Sequence, residues 1–403
     1  MIDKKTKVYI NNDIASKCEE SSDLFSKAVR FLKNNNYELT NNIDEADVSL
    51  INSCTVMNPQ IQASRNAISN STKKSNIKKT IFFGCGTATI KDFKNNETVE
   101  HVKPKELKKL NDLFSHDVEL EEGGAYKFET NTFNSDFHNR PTDRIGLEDA
   151  DEGIVRQLIG NDVYVHISTG CNHACDFCAI KNAKGGVRSK SIDTIVNDIV
   201  TYIQKNKQQN LYQFVLQSDD CGGYGLDIGT NFAELVEGIK KINKNIKLKC
   251  SNIHPEDLLR IWPDLKKNIT MFSLMNIPLE HGSNRILKLM KRYYVIDDVM
   301  EVLDEIRELS PNTWLHNQMI FNYPTETRED FLELVEVCKK YDETIFHGFS
   351  EVKGKKVEKL YPKVWHEEKV WRKKYLEKFI AKEIKSGFIV DPNRMLNPSS
   401  DKI

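Results

Sequence analysis

The chain has 403 residues, 39% of them hydrophobic and 29% charged, with a formal net charge of −1. That length calls for two or three folded units, and the composition excludes a disordered or membrane-embedded chain. The near-neutral charge gives the chain as a whole no electrostatic footprint for nucleic acid. No apolar run approaches the roughly 18 residues of a bilayer span, and Met1–Lys7 lack the apolar core of a secretory signal. The expected location is the cytoplasm, with no membrane contact.

In chain order, Lys7–Ile10 reads as a short strand. Ser21, Ser22 and Asp23 then offer capping oxygens to a helix whose Leu24, Phe25, Ala28, Val29 and Leu32 recur at helical spacing. Ala46–Asn52 reads as a buried strand, and Cys54 sits just past its end. A polar helix over 60–75 and the strand Thr80–Phe83 follow, with Cys85 placed in the same way. Strands alternating with helices imply a parallel sheet, whose ligands gather at the carboxyl ends of the strands. Cys18, beyond the first strand, is placed to join Cys54 and Cys85. Residues 1–95 are thus expected to form an α/β domain. Residues 96–150, weakly patterned apart from a helix near 106–114, read as a linker with a short hairpin.

Periodicity returns at Asp162–Ser168, a strand that runs into Cys171, Cys175 and Cys178. Helices over 192–205, 232–242, 255–262, 295–309 and 328–340 then alternate with strands over 213–216, 246–250, 270–274, 313–315 and 343–346. The overall class is therefore α/β, with a (β/α) partial barrel over 151–350 whose chemistry sits at the carboxyl ends of its strands. Residues 351–403 form a helical C-terminal extension, expected to pack on the barrel through Trp365, Val370, Trp371, Tyr375 and Phe379.

Nine cysteines in a long cytosolic chain indicate metal or catalytic groups rather than disulfides. Cys221, Cys250 and Cys338 read as ordinary packed residues. Gly170–Cys178 is different. Three thiolates spaced C-x3-C-x2-C on a loop after a strand can hold three irons of a [4Fe–4S] cluster and leave the fourth open. The amino and carboxylate groups of S-adenosylmethionine (SAM) can chelate that iron. One electron then breaks the C–S bond and yields a 5′-deoxyadenosyl radical, so a reducing partner such as flavodoxin or ferredoxin is implied. A zinc site would need a fourth ligand close by, and His173 is awkwardly placed inside the loop.

Several motifs resemble the radical SAM methylthiotransferases, over most of residues 1–350. Gly170–Cys178 with Gly186-Val187-Arg188-Ser189 is similar to that family's cluster loop and its continuation. Leu216–Asp219 with Tyr224-Gly225, Asn276–Ser283, Leu287–Arg292 and Pro324–Phe331 resemble its later segments. Asn52–Val56 and Gly84-Cys85 resemble the cysteine motifs of its N-terminal domain. The resemblance implies that Cys18, Cys54 and Cys85 hold a second, auxiliary [4Fe–4S] cluster that carries the sulfur to be inserted. It implies insertion of sulfur or a methylthio group at an unactivated C–H bond. One SAM methylates the sulfur, and a second supplies the radical that removes the hydrogen. Gln217, Ser218, Ser251, Arg188 and Arg292 are candidate cofactor-binding residues, the arginines for a carboxylate or phosphate.

The chain departs from the family pattern in places. Lys17 precedes Cys18 where glycine is usual. Glu280 and His281 stand for glutamine and a small residue, and Asn322 and Thr325 replace glycines. About 50 residues follow the last expected strand, too few for the small all-β domain with which most members end. With the near-neutral charge, this favours a peptide or protein substrate over the alternative, a tRNA adenosine. An expectation of another class is a non-catalytic iron–sulfur protein that carries electrons or binds a partner.

Overall fold

The computed structural model describes residues 1–12, 19–55, 58–121, 123–126, 162–351 and 356–385. It divides into two compact units. The first takes residues 1–139 together with 169–171 and 179–186, and the second takes the remainder. Cys18 lies outside the described residues, as does much of the expected linker.

The first unit is built on parallel strands in the order β2-β1-β3-β4-β5, namely Glu38–Thr40, Lys7–Asn11, Val48–Asn52, Lys79–Phe83 and Val99–Val102. Alternation along the strands sends side chains to opposite faces. Val8, Leu50, Ile81 and Phe83 face the helix Glu19–Asn34 through Phe25, Val29 and Leu32. Ile51 and Phe82 face Ile68 of the helix Asn58–Lys73. Burying each such aromatic ring contributes roughly 2–3 kcal/mol. Helix Glu19–Asn34 begins before the expected Ser21–Asp23 cap, so those residues lie in its first turns.

The boundary expected at residue 95 falls inside this unit. β5 pairs in parallel with β4, where a linker and hairpin were expected. Leu107, Leu110 and Phe114 enter the same core. A two-residue strand, β6 (Ala125–Tyr126), ends the described part of this stretch.

The second unit winds one way. Its parallel strands run in chain order, from β7 (Val163–His166) through β10 (Tyr212–Gln217), β11 (Ile246–Cys250), β12 (Phe272–Asn276) and β13 (Trp314–Phe321) to β14 (Glu343–Gly348). Two short strands, β8 (Ser168–Thr169) and β9 (Arg188–Ser189), flank the cysteine loop in sequence. Helices Ile192–Lys205, Phe232–Lys240, Pro255–Leu265, Ile296–Leu309 and Arg328–Val337 connect the long strands, as the periodicity predicts. β12 starts two residues later than expected because Thr270 and Met271 belong to a 3₁₀ turn. β13 runs well past the expected Leu315, and the short helix Asn284–Leu289 was not anticipated.

The C-terminal helix spans His366–Lys385. Its buried stripe is Arg372, Leu376 and Ile380; of the expected aromatics, Trp371 and Tyr375 each meet the Phe331 ring with centroids 5.8 Å apart, whereas Trp365 is 76% exposed. Arg372 is fully buried. It donates to Glu326 Oε1 (2.9 Å), Asn322 Oδ1 (3.3 Å) and the carbonyls of Glu326 and Thr327. Asn322 and Thr325 both have positive φ, 64° and 71°, so this one side chain braces an unusual backbone after β13.

Candidate active site

Cys54 and Cys85 are buried in the loops past β3 and β4. Those loops are laced together. Ser53 N donates to Phe83 O (2.8 Å) and Gly86 N to Ser53 O (3.1 Å). A Cβ on Gly84 would stand 2.5 Å from Asn52 Oδ1, and one on Gly86 would stand 2.6 Å from Ser53 Cβ. Gly84 also has φ of 90°, open to glycine at little cost. Asn52 is the hub of this edge. Its amide donates to Asn12 Oδ1 (2.6 Å) and to Ser21 O (2.9 Å), holding the chain after β1 and the start of helix Glu19–Asn34. Within the same unit, helix Ile180–Lys184 packs on the turn Cys85–Ala88.

In the second unit Cys175 is 8% exposed. Arg292 Nη1 lies 3.6 Å from its sulfur, and His254 Nε2 lies 4.0 Å away. Nδ1 of His254 accepts from Glu256 N (3.3 Å). The proton of this neutral ring therefore sits on Nε2, facing the sulfur. Burial, reinforced by the Arg292 charge, pushes the His254 pKa down and keeps the ring neutral. Burial raises the Cys175 thiol, and the Arg292 cation opposes it. Arg292 is itself buried, tied to Pro278 O (2.6 Å) and beside Tyr294. The sulfur thus has two N–H groups and a cation on its protein side, an arrangement suited to a thiolate.

The loop around Cys175 is braced by groups other than sulfur. Asp176 N donates to Met290 O (3.0 Å), and Lys291 Nζ donates to Asp176 Oδ1 (2.7 Å). His173 stacks on His254 with ring centroids 3.6 Å apart. Its Nε2 meets Asp257 Oδ2 at 2.6 Å, so the residue considered for zinc is engaged as an anchor. Burial and the neighbouring Asp257 charge raise Asp220 to about 7. Asp257 is held at about 2 against its burial by hydrogen bonds from His173, Asp220 and Arg260.

The strand ends carry the other expected residues. Gln217, at the end of β10 and paired with His166 of β7, is fully buried. Neither of its amide atoms has a hydrogen-bond partner among the described residues. Orphaned buried amides of this kind call for a ligand. Ser218 and Ser251 are occupied in joining the ends of β10 and β11. Ser218 N donates to Ser251 Oγ (3.1 Å), and Ser251 Oγ donates to Ser218 O (3.2 Å). Arg188 is exposed on β9. His316, unremarked in the sequence, meets Asn276 Oδ1 through Nδ1 (2.9 Å), and Asn276 Nδ2 donates to Ser251 O (2.8 Å).

Glu280 has φ of 68° and a pKa raised by burial to about 7, against the pull of Arg292. His281 is fully buried, with Nδ1 accepting from Ser283 N (2.9 Å). Cys221, Cys250 and Cys338 are buried as expected. No helix among the described residues is long and apolar enough to cross a membrane.

Two family models match the chain: the Radical SAM superfamily over residues 165–338, and the Uncharacterized protein family UPF0004 over residues 17–103. A tRNA-2-methylthio-N(6)-dimethylallyladenosine synthase of Acetivibrio thermocellus is 26% identical, over 96% of this chain and 79% of that protein. The threonylcarbamoyladenosine tRNA methylthiotransferase MtaB of Aquifex aeolicus is 28% identical, over 89% of this chain and 88% of its own length. Among solved structures, the radical S-adenosylmethionine methyltransferase TsrM of Kitasatospora setae aligns with a TM-score of 0.52 at 11% identity, covering 84% of this chain and 72% of that one. The cobalamin-dependent S-adenosylmethionine radical enzyme OxsB gives 0.52 at 14% identity, over 96% of this chain and 58% of that one. At these identities the structures speak for the fold alone.

Proposed function

We propose that the chain is a radical SAM methylthiotransferase, the reading its two matching models and its relatives support, and that it inserts sulfur or a methylthio group at a carbon of a tRNA adenosine. The observation that carries the chemistry is Cys175, buried with the N–H groups of Arg292 and His254 turned toward its sulfur. A [4Fe–4S] cluster and SAM are the cofactors that the Radical SAM match and the C-x3-C-x2-C loop support. On this reading Cys171, Cys175 and Cys178 hold one cluster, and Cys54 and Cys85, with Cys18, hold the auxiliary one. Together with SAM, the bound clusters supply one-electron cleavage of a C–S bond and a sulfur to transfer.

The chain's own residues do the positioning. Gln217 offers SAM both a donor and an acceptor from a dry site, and Ser218 and Ser251 fix the strand ends around it. Arg292 neutralises the charge of the Cys175 sulfur, and His173 holds His254 in place through the stack. An external one-electron donor such as flavodoxin or ferredoxin completes the reading.

The substrate rests on the relatives, whose names specify tRNA adenosines. A peptide or protein substrate, favoured from charge and the helical tail alone, has no relative among them to support it. Mass spectrometry of tRNA nucleosides and of candidate peptides after turnover decides between the two. A mass gain of a sulfur or methylthio group on adenosine is expected, and a gain on peptide alone overturns the tRNA reading. Reduced, reconstituted protein that forms no 5′-deoxyadenosine would instead be a non-catalytic iron–sulfur protein. Iron analysis tests the auxiliary site. About eight irons per chain are expected, falling to about four in a Cys54→Ala/Cys85→Ala variant.

A further inference from the structure

We propose that the segment from Lys356 to Lys385, led by Tyr361 and Trp365, is a surface that binds the RNA substrate. This rests on the tRNA reading above and assigns it a place on the chain. Between 356 and 385 there are ten lysines and arginines against five glutamates. The rest of the chain must therefore be acidic, since the whole carries a net charge of −1. The near-neutral total conceals a basic segment. A charge asymmetry of this size is the footprint of a polyanionic partner.

Three of these charges stand on one face of the C-terminal helix. In helix His366–Lys385 the buried stripe Arg372, Leu376 and Ile380 repeats every four residues. Lys374, Lys378 and Lys382 repeat at the same interval, and all three are exposed. Two positions further along a helix of 3.6 residues per turn, they fall about 200° around from the buried stripe. Successive lysines stand about 6 Å apart along the axis, forming a cationic row on the solvent side.

Aromatic rings sit just ahead of that row. Tyr361 and Trp365 are 73% and 76% exposed, the most exposed aromatic side chains among the described residues. Lys363 Nζ lies 5.3 Å from the centre of the Tyr361 ring. A large ring left in water next to lysines has no packing role, but every nucleobase presents a face that can stack on it. Aromatics interleaved with cations fit a single-stranded or looped stretch of RNA better than a peptide, which would need apolar pockets or carboxylates to use them. Conversely, Arg372, although basic, is consumed inside the fold and does not belong to this surface.

The test measures binding of unmodified tRNA to the reconstituted full-length protein, by fluorescence anisotropy across a salt series. Tyr361→Ala/Trp365→Ala should weaken binding at least tenfold, since stacking on one ring is commonly worth that or more. Lys374→Glu/Lys378→Glu/Lys382→Glu should flatten the dependence of log affinity on log salt by at least about two units, roughly 0.7–0.9 for each phosphate no longer neutralised. Both variants should form 5′-deoxyadenosine from SAM in the absence of tRNA at the parent rate, because none of these residues lies in the proposed SAM or cluster machinery. Parent-like tRNA affinity and salt slope in both variants overturn the proposal, and that is also the result if the surface serves a protein partner. Failure of the parent itself to bind tRNA points elsewhere, to the substrate reading on which the proposal rests.

Discussion

Replacing Arg292 with leucine is expected to make the cluster proposed on Cys171, Cys175 and Cys178 markedly harder to reduce. The guanidinium is the cation closest to the Cys175 sulfur, at 3.6 Å, and both groups are shielded from water. Hydrogen bonds and positive charge at ligating sulfurs stabilise the reduced, more negative cluster and raise its potential. One charge-assisted hydrogen bond is worth about 1.5–3 kcal/mol, or ten- to a hundredfold in the reduced fraction at fixed potential. At 59 mV per decade for one electron, the midpoint should fall by at least about 60 mV. Potentiometric titration followed by electron paramagnetic resonance measures this on the signal that responds to SAM. His254→Phe, which keeps a ring against His173 but removes the N–H, should move the midpoint the same way by less. Arg292→Lys should fall between parent and leucine. An unchanged midpoint in a leucine variant with full iron content would show that Arg292 is only a packing group.

Arg372→Met should be the most destabilising single change in the C-terminal helix. Methionine fills much of the arginine's volume but leaves the Glu326 carboxylate, 6% exposed, without its cation. Breaking one side of a buried pair costs about 3–5 kcal/mol, or roughly 10 °C in Tm for a unit of this size. The double variant Arg372→Met/Glu326→Gln should recover part of that loss, because no buried charge is then stranded. Thermal denaturation of the parent, the Arg372→Met and Glu326→Gln single variants and the double variant forms a complete cycle. Equal Tm values for parent and Arg372→Met would mean that the helix is held by its apolar and aromatic contacts alone, Leu376, Ile380, Trp371 and Tyr375 among them.

These two arginines also mark where sequence reasoning stops. The spacing of Cys171, Cys175 and Cys178 is local, so the loop could be read from nine consecutive residues. The helices of the second unit were legible because their apolar stripes are long and regular, and Ile192–Lys205 falls where the periodicity puts it. Arg292 could be singled out in the sequence, but as a group for a carboxylate or phosphate. Its true neighbour depends on a turn after the helix Asn284–Leu289, more than a hundred residues beyond Cys175. His254 and Asp257 gave no signal, since an isolated histidine or aspartate has no period. β5 was missed because four residues, Val-Glu-His-Val, are too few to display alternation. β13 was cut short because His316, Asn317 and Gln318 look like loop residues, although in this strand they lie beside Asn276 and Thr344. The C-terminal helix packs through two of its expected aromatics, Trp371 and Tyr375, against Phe331. The arginine that anchors it looked like one more surface charge.

The bracing of the Cys175 loop by Asp257, Lys291 and the Met290 carbonyl bears on repair. Many small metal sites exist only while the metal is bound, because the ion supplies the folding energy. Here the ties that shape the loop involve a histidine, two aspartates, a lysine and backbone groups, none of which needs iron. Without the proposed cluster the chain therefore keeps the mould, and filling it is an act of inorganic assembly on a standing protein rather than a second attempt at folding.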